Sequence, residues 1–409
     1  MGRLALPQVT PEYAQSNCTA CRLNCNSKLQ LAGGGKQRVL VLTDKQDAIQ
    51  QSTKTYMRGE HYTYIRDVLY QYGLTTDDYW MTSTVQCYCD KPTEANAIHC
   101  KPNIIKLIKT LKPVLIIGFG QFTASVLLSD SIVDGSTNIE RVHGFLHPDR
   151  KLNCNILVTY APHPSAYAKD SVEDKLIRRD VHVAVKSLRG PVRVFKDEQS
   201  CVRMLSPKDA AAELERRIRN ESRRLSALDY ETNCLKPYNA NSRIVSCAIS
   251  EDWDDSFAFM VDEVTEPVLM RYWQTSHIAK IAHNTAFERT WTMVKLGVRP
   301  YRLIHDSMLL AHGLDNRPDI LSIKFLAPML TGCDLWNKHI EPYFETDKKK
   351  YGEYGLNKIN EIPVRQLLMY NGIDSLVEYR VFHILMDYIK DYYGTFPTDE
   401  NIEEYRNAY

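Results

Sequence analysis

Two α/β domains in series, the first built on a parallel sheet and the second on a mixed one, are what the sequence predicts, on three observations. The chain has 409 residues, more than one hydrophobic core usually serves, and at roughly 100 to 200 residues per domain it needs two or three. Apolar runs of strand length alternate with stretches of helical spacing from residue 39 to 188 and again from about 225 onward. The halves also differ in kind, because seven of the eleven cysteines precede residue 155. The expected boundaries are 1–190 for the first domain, 191–225 for a basic connector and 226–409 for the second domain.

In the first domain Val39 to Thr43 is a short apolar run and His61 to Tyr72 carries helical spacing through Tyr64, Ile65, Val68 and Leu69. Trp80 to Gln86 reads as strand, Glu94 to Leu111 as helix, Val114 to Gly118 as buried strand, Ile156 to Tyr160 as strand and Val172 to Leu188 as helix. Strands joined by crossover helices imply a parallel sheet covered on both faces. In the second domain Leu225 to Thr232, Ile244 to Ser250 and Ser256 to Val261 follow one another as a meander. Helix Pro267 to Ser276, strand Lys280 to His283, helix Ala286 to Gly297 and strand Leu303 to His305 come next, and a long helix from Val364 to Ile389 follows.

A hydrophobic fraction of 44% and a charged fraction of 25% are those of a soluble globular chain and exclude wholesale disorder or a collagen-like or mucin-like protein. No apolar run reaches membrane-span length, and Met1 to Thr10 lacks the apolar core of a secretory signal, so a cytoplasmic location is expected. The net charge of +1 gives no reason by itself to invoke nucleic acid. It is a sum of unlike parts: residues 175–225 hold 14 Lys and Arg against 7 acids, and residues 226–409 hold 19 against 27. The basic stretch, with Arg216-Arg217-Ile218-Arg219, reads either as a track for a phosphate backbone or as a solvated helix face.

Asp229-Tyr230-Glu231 lies on an expected strand, where period-2 alternation puts both carboxylates on one face. Alone, such a pair fits an open solvated sheet face better than a metal site; a divalent cation is the usual partner when the two are forced together. Tyr370 and Asp374 stand four apart on the long helix and so share a face. Between these elements come His283-Asn284-Thr285-Ala286-Phe287-Glu288 and, after the next strand, Asp306. Asp229-Tyr230-Glu231-Thr232, then Asn284 through Glu288, then Tyr370-Asn371-Gly372-Ile373-Asp374 resemble, in order, the three motifs of the DEDDy 3′-5′ exonucleases, the RNase H-like proofreading domains of family A DNA polymerases and their relatives.

That resemblance implies an RNase H-like domain hydrolysing phosphodiesters with two Mg2+ or Mn2+ ions. Asp229 would bridge the ions, Glu231 and Asp374 would complete the first site, Glu288 would hold the second through water, and Tyr370 would orient the attacking water. The family supplies Asp at the second motif where this chain has Glu288, which implies altered metal geometry. Asp306 is a candidate backup acid or, equally, a helix cap. Asn284, Phe287, Tyr238 and Trp291 are candidates for contact with terminal nucleotides, Phe287, Tyr238 and Trp291 being also ordinary core or rim aromatics.

Cys18-Thr19-Ala20-Cys21, with Cys25 nearby, precedes Cys87-Tyr88-Cys89 and Cys100. Four thiolates drawn from such a set can close around zinc or an iron-sulfur cluster, and physical reasoning leaves both open. The first pair followed by Arg22-Leu23, the later Lys91-Pro92-Thr93-Glu94, the strand Pro113 to Gly120 and His163-Pro164-Ser165 resemble a family 4 uracil-DNA glycosylase over residues 13 to 188. The resemblance implies a 4Fe-4S cluster on Cys18, Cys21, Cys87 and Cys100, with Cys25 and Cys89 as substitutes, and DNA contact at His163 and Ser165. Where that family has a Gly-Glu-x-Pro-Gly loop, this chain has Thr43-Asp44-Lys45-Gln46-Asp47, and where it reads the uracil edge with Asn, this chain has Ser83. A glycosylase fold kept for DNA or polymerase binding is therefore expected, although Asp44 or Asp47 remains available as an acid.

Together these readings imply a proofreading-type exonuclease acting on a single-stranded 3′ end or primer terminus for a separate DNA polymerase subunit, as in bacteriophage replication, where it would work in the bacterial host cytoplasm. Two alternatives differ in class: an active uracil-DNA glycosylase paired with a repair nuclease, and a non-catalytic replication adaptor. An RNA substrate also stays open.

Overall fold

The computed structural model describes residue 18 and residues 20–23, 28–132, 135–163, 171–346 and 352–393. The chain divides into two compact units, Met1–Val194 with Pro328–Gly332, and Phe195–Ala327 with Cys333–Tyr409.

The first unit is built on β1 (Ala32–Gly33), β2 (Val39–Thr43), β3 (Tyr79–Ser83), β4 (Leu115–Phe119), β5 (Leu146–Asp149) and β6 (Cys154–Thr159), in the spatial order β1-β3-β2-β4-β6-β5. The inner four strands are parallel, and β1 and β5 are antiparallel edges that the sequence pattern did not reveal. All residues of β2, β4 and β6 are buried, as expected of strands covered on both faces, and Val39, Val41, Leu115, Ile117 and Leu157 form one core with Ile65, Val68 and Leu69.

The covering helices include α1 (Ala48–Thr53), α2 (Glu60–Gln71), α3 (Glu94–Leu111), α4 (Gln121–Leu128) and α5 (Val172–Lys186). Their starts are written in the sequence. Asp47 accepts from the Gln50 amide at the head of α1, Thr93 and Asn96 form a capping box on α3, and Ser171 accepts from the Asp174 amide on α5. Chain order reverses between β2 and β4, so the crevice where ligands bind in open α/β sheets lies past Thr43 and Phe119.

The second unit has a mixed sheet ordered β12-β11-β8-β9-β10-β7, from β7 (Val202–Met204), β8 (Arg224–Thr232), β9 (Ile244–Asp252), β10 (Asp255–Met260), β11 (Ile278–Ala282) and β12 (Leu303–Asp306). The β8-β9-β10 meander is antiparallel, while β11 and β12 run parallel to β8. Helices α6 (Pro207–Arg219), α7 (Glu266–Gln274), α8 (Thr285–Trp291), α9 (Ser307–Leu314) and α11 (Val364–Tyr393) complete it, together with the part of α10 (Ile323–Thr331) that precedes Pro328. Helix α8 stops earlier than its periodicity suggests, because Thr292–Leu296 widens into one π-turn before Gly297.

One expectation needs correcting. Residues 191–225 are not a connector: β7 pairs with β10, and α6 places Ala210 and Leu214 in the same core as Leu228, Phe257 and Trp273. Helix α11 lies across the sheet at close range, since a Cβ on Gly372 would sit 2.3 Å from Val202 Cγ1. Among the described residues no helix is long and apolar enough to cross a membrane.

Candidate active site and cysteine centre

Strand β8 is central, with β9 on one side and β11 on the other. Alternation sends Tyr230 into the core beside Trp273 and leaves Asp229 and Glu231 on the opposite face. From α11, Asp374 comes to meet them, and one ligand oxygen from each of Asp229, Glu231 and Asp374 lies within 4.8 Å of the others. Burial, then the neighbouring Asp374 charge, pushes the Asp229 carboxyl well above its ordinary range; burial, then Asp229 and Asp374, does the same to Glu231. Half-buried Asp229 and Glu231 and buried Asp374 held at that spacing need a positive partner, and the donor set, all hard carboxylate oxygen, suits Mg2+ or Mn2+.

Three further side chains, which the motif pattern did not single out, organise the group. Asn371 is fully buried and donates from Nδ2 to Asp229 Oδ2 at 2.6 Å, while its Oδ1 accepts from Ser246 at 2.9 Å. Trp336 Nε1 donates to Asp374 Oδ1 at 2.9 Å. Lys324, on α10, is ion-paired with Asp374, and its ammonium lies 4.4 Å from the ring centroids of both Trp336 and Tyr370. It is the internal counter-charge that Asp229 and Glu231 also feel. Tyr370, 8% exposed, is held protonated by burial and by Asp374, Glu231 and Asp229.

Glu288 stands on α8 and is 3% exposed; burial and then the Asp229 charge push its carboxyl up. Asp306, the suggested backup ligand, is otherwise engaged. Its two oxygens accept from the amides of Asn284, Thr285, Met308 and Leu309 and from Thr285 Oγ1, which joins the start of α8 to the start of α9. Asn284 is exposed and left-handed at φ 74°. Phe287 is partly buried against the core, Trp291 is wholly inside it, and Tyr238 is exposed.

Of the basic pair, Arg217 is buried and ion-paired with Glu213 and Glu251, so the expected phosphate contact is replaced by an internal network; Arg216 is exposed and also bonded to Glu213. Counting charges along α6 could not show that Glu213 takes up two of its arginines.

In the first unit the thiols of Cys18, Cys21, Cys87 and Cys100 come within electrostatic reach of one another: burial pushes the Cys87 thiol up to about 11, aided by Cys100, Cys21 and Cys18 after an opposing Lys28. Cys100 is raised by burial and by Cys21 and Cys18. Two amides of α3 turn toward the sulfurs, Asn96 Nδ2 at 3.7 Å from Cys21 Sγ and Asn103 Nδ2 at 3.5 Å from Cys18 Sγ. Cys89 is half-exposed and does not figure among the neighbours acting on Cys87 or Cys100. Cys25 and Ser165 lie outside the described residues, and His163 is exposed.

At the crevice past β2 and β4, Asp44 accepts from Thr123 N at 2.9 Å and from Thr123 Oγ1 at 3.1 Å. Gly120, at φ 107°, lets it in: a Cβ there would lie 2.2 Å from Asp44 Oδ2. Ser83 is fully buried, donating to the Val85 carbonyl at 2.8 Å and lying 3.0 Å from Tyr56 OH.

Comparison with known families gives two matches, residues 35–181 to the uracil DNA glycosylase superfamily and residues 202–390 to a 3′-5′ exonuclease family. No curated protein matched. Among solved structures, Brucella melitensis NrnC is 17% identical with a TM-score of 0.33, covering 42% of this chain and 77% of its own. The catalytic core of RRP6 from Trypanosoma brucei is 16% identical with a TM-score of 0.32, covering 47% and 52%. Trypanosoma brucei RNase D with GMP is 18% identical with a TM-score of 0.34, covering 46% and 57%. By its two family matches, the chain joins a uracil DNA glycosylase superfamily domain, residues 35–181, to a 3′-5′ exonuclease domain, residues 202–390.

Proposed function

We propose that this chain is a metal-dependent 3′-5′ exonuclease that trims DNA primer termini for a separate polymerase subunit, with a glycosylase-like domain used for binding and not for base excision. The observation that carries the first part is the convergence of Asp229, Glu231 and Asp374 within 4.8 Å. Two divalent cations bound there would lower the pKa of the attacking water and stabilise the leaving oxygen. The chain's own residues do the rest. Asp229, Glu231, Asp374 and Glu288 offer the carboxylates, Asn371 fixes the Asp229 side chain, and the protonated Tyr370 phenol orients the nucleophile by donation and not by proton abstraction.

For the first domain, Asp44 is spent on the head of α4 and Asp47 on the head of α1. Ser83, at the position where an Asn would read a base edge, is turned to Tyr56 and a backbone carbonyl. Among the described residues, Asp44, Asp47 and Ser83 are thus each engaged elsewhere, which supports a binding role. For the cysteines we propose a 4Fe-4S cluster on Cys18, Cys21, Cys87 and Cys100. The mutual electrostatic reach of these thiols and the two Asn amides turned to them support a shared centre, and the choice of a cluster over zinc rests on the glycosylase resemblance.

The deciding experiment incubates the full chain with 3′-labelled single-stranded and primer-template DNA, and with RNA, with and without Mg2+. Mononucleotide release is expected on DNA with Mg2+ and is expected to be nearly abolished in Asp229→Ala/Glu231→Ala. Equal activity in that double variant would sink the reading; preference for RNA would redirect the substrate, and uracil release would return the first domain to repair.

A further inference from the structure

Ser322 Oγ accepts from the Lys324 amide at 3.2 Å and so opens α10 with Lys324 in its first turn, while Trp336 lies past the end of that helix. Both side chains reach the same turn of α11, the one that carries Tyr370 and Asp374. Trp336 Nε1 donates to Asp374 Oδ1 at 2.9 Å, and the Lys324 ammonium pairs with that same oxygen. Two donors on one oxygen restrain the carboxylate and leave Oδ2 as the oxygen that neither takes. The ammonium also stands 4.4 Å from the ring centroid of Tyr370, against which Phe344 packs at 5.7 Å, and 4.4 Å from that of Trp336.

The Lys324 side chain is 21% exposed and that of Asp374 8%, so the pair is largely shielded from bulk water, and a carboxylate and two aromatic rings hold the ammonium in one place. A cation needed only to neutralise Asp229, Glu231 and Asp374 has no reason to touch Tyr370. This one touches both groups whose aim the hydrolysis depends on: the acid that offers an oxygen to the ion, and the phenol that orients the attacking water.

We propose that Lys324 is a positioning residue of the exonuclease site: its ammonium, with Trp336, fixes Asp374 so that Oδ2 is the oxygen offered to the ion, and fixes the Tyr370 ring that aims the nucleophile. The proposal rests on the exonuclease reading above and deepens it, since the acid site then has a cation of its own chain that stays in place when the divalent ions bind. The rival is a placeholder, an ammonium that fills the acid site only until an ion arrives. Losing a placeholder removes a positive charge from beside three acids, which tightens metal binding at no cost to the chemistry.

The test uses the full chain, unaltered and as Lys324→Met, Lys324→Arg, Tyr370→Phe and the double variant Lys324→Met/Tyr370→Phe. It measures Mn2+ affinity by electron paramagnetic resonance, melting in chelator and in saturating Mn2+, and mononucleotide release from a single-stranded oligonucleotide at saturating Mn2+. Lys324→Met is expected to melt lower in chelator, where Asp374 lacks its counter-charge, and to regain that stability with Mn2+, which it binds no more weakly. Its kcat at saturating Mn2+ should still fall roughly 10- to 100-fold with little change in KM. Lys324→Arg, which can pair with the acid and stack on the rings, should recover part of kcat. In the double variant the two losses should be less than multiplicative, because the ammonium acts partly through Tyr370. An unchanged kcat in Lys324→Met at saturating Mn2+ would overturn the proposal in favour of the placeholder. A melting deficit that Mn2+ does not restore, or losses that multiply independently, would overturn it as well. Failure of the exonuclease reading looks different and takes the proposal with it: the unaltered chain would then bind Mn2+ and release no nucleotide.

Discussion

At the scale of single residues, the acids do not hold their own arrangement; Asn371 does much of it. Its amide spans β8 and β9, donating to Asp229 and accepting from Ser246. Replacing it by Leu leaves Asp229 free to rotate away and Ser246 Oγ without its acceptor. Asn371→Leu is therefore expected to cost about 1–3 kcal/mol of stability in urea melts and to weaken Mn2+ binding roughly 10- to 100-fold, the usual effect of losing a group that orients a ligand. It should also lower kcat more than it raises KM; a variant that only loses stability would leave Asn371 as a packing residue. Asn371 sits inside the third motif, one place after Tyr370, yet a motif marks carboxylates and not the bonds that aim them. Lys324 was less visible still, since nothing in its local sequence shows that α10 brings it against Asp374 across 50 residues.

At the scale of elements, the sequence was most legible where burial is one-sided or a cap is explicit, as in α2, α3 and β8, and where an apolar run is long, as in α11, which is buried without a break from 370 to 382. It was least legible where a helix is both short and buried all round. Helix α4, Gln121–Leu128, is buried over all but its first two residues, so it carries no polar stripe and no 3.6 periodicity. Its start is instead marked by a distant residue, Asp44. Burial pushes the Asp44 carboxyl up to about 6 against the helix amides that pull it down. From its ordinary 3.8 to about 6, the folded protein keeps a proton that the unfolded chain releases. Stability contributed here is present below pH 4 and is lost as pH rises through 6, by no more than about 2–3 kcal/mol. Asp44→Asn, which keeps the acceptor, should flatten that slope in melts run between pH 4 and 7. An unchanged slope would mean the carboxylate is already ionised at the head of α4, where it would be open to a catalytic role.

At the scale of the whole molecule, a net charge of +1 concealed two units with unlike chemistry, one gathering thiols and the other gathering acids. Each has a core of its own, around β2 and β4 in the first and around β8 and β9 in the second. Compact units with separate cores unfold as separate cooperative steps, so calorimetry on the full chain is expected to give two transitions. A ligand raises only the step whose native state binds it, by about 2.7 kcal/mol at a hundred times its dissociation constant. Mg2+ should therefore move one transition and leave the other, and Asp229→Ala/Glu231→Ala should abolish that movement. Cys100→Ser, in an anaerobic preparation, should lower the other transition and remove the visible absorption expected of the proposed 4Fe-4S cluster, leaving the Mg2+-sensitive step in place. A single transition, or one in which Mg2+ and Cys100→Ser act on the same step, would show that the acid site and the thiol centre belong to one cooperative body.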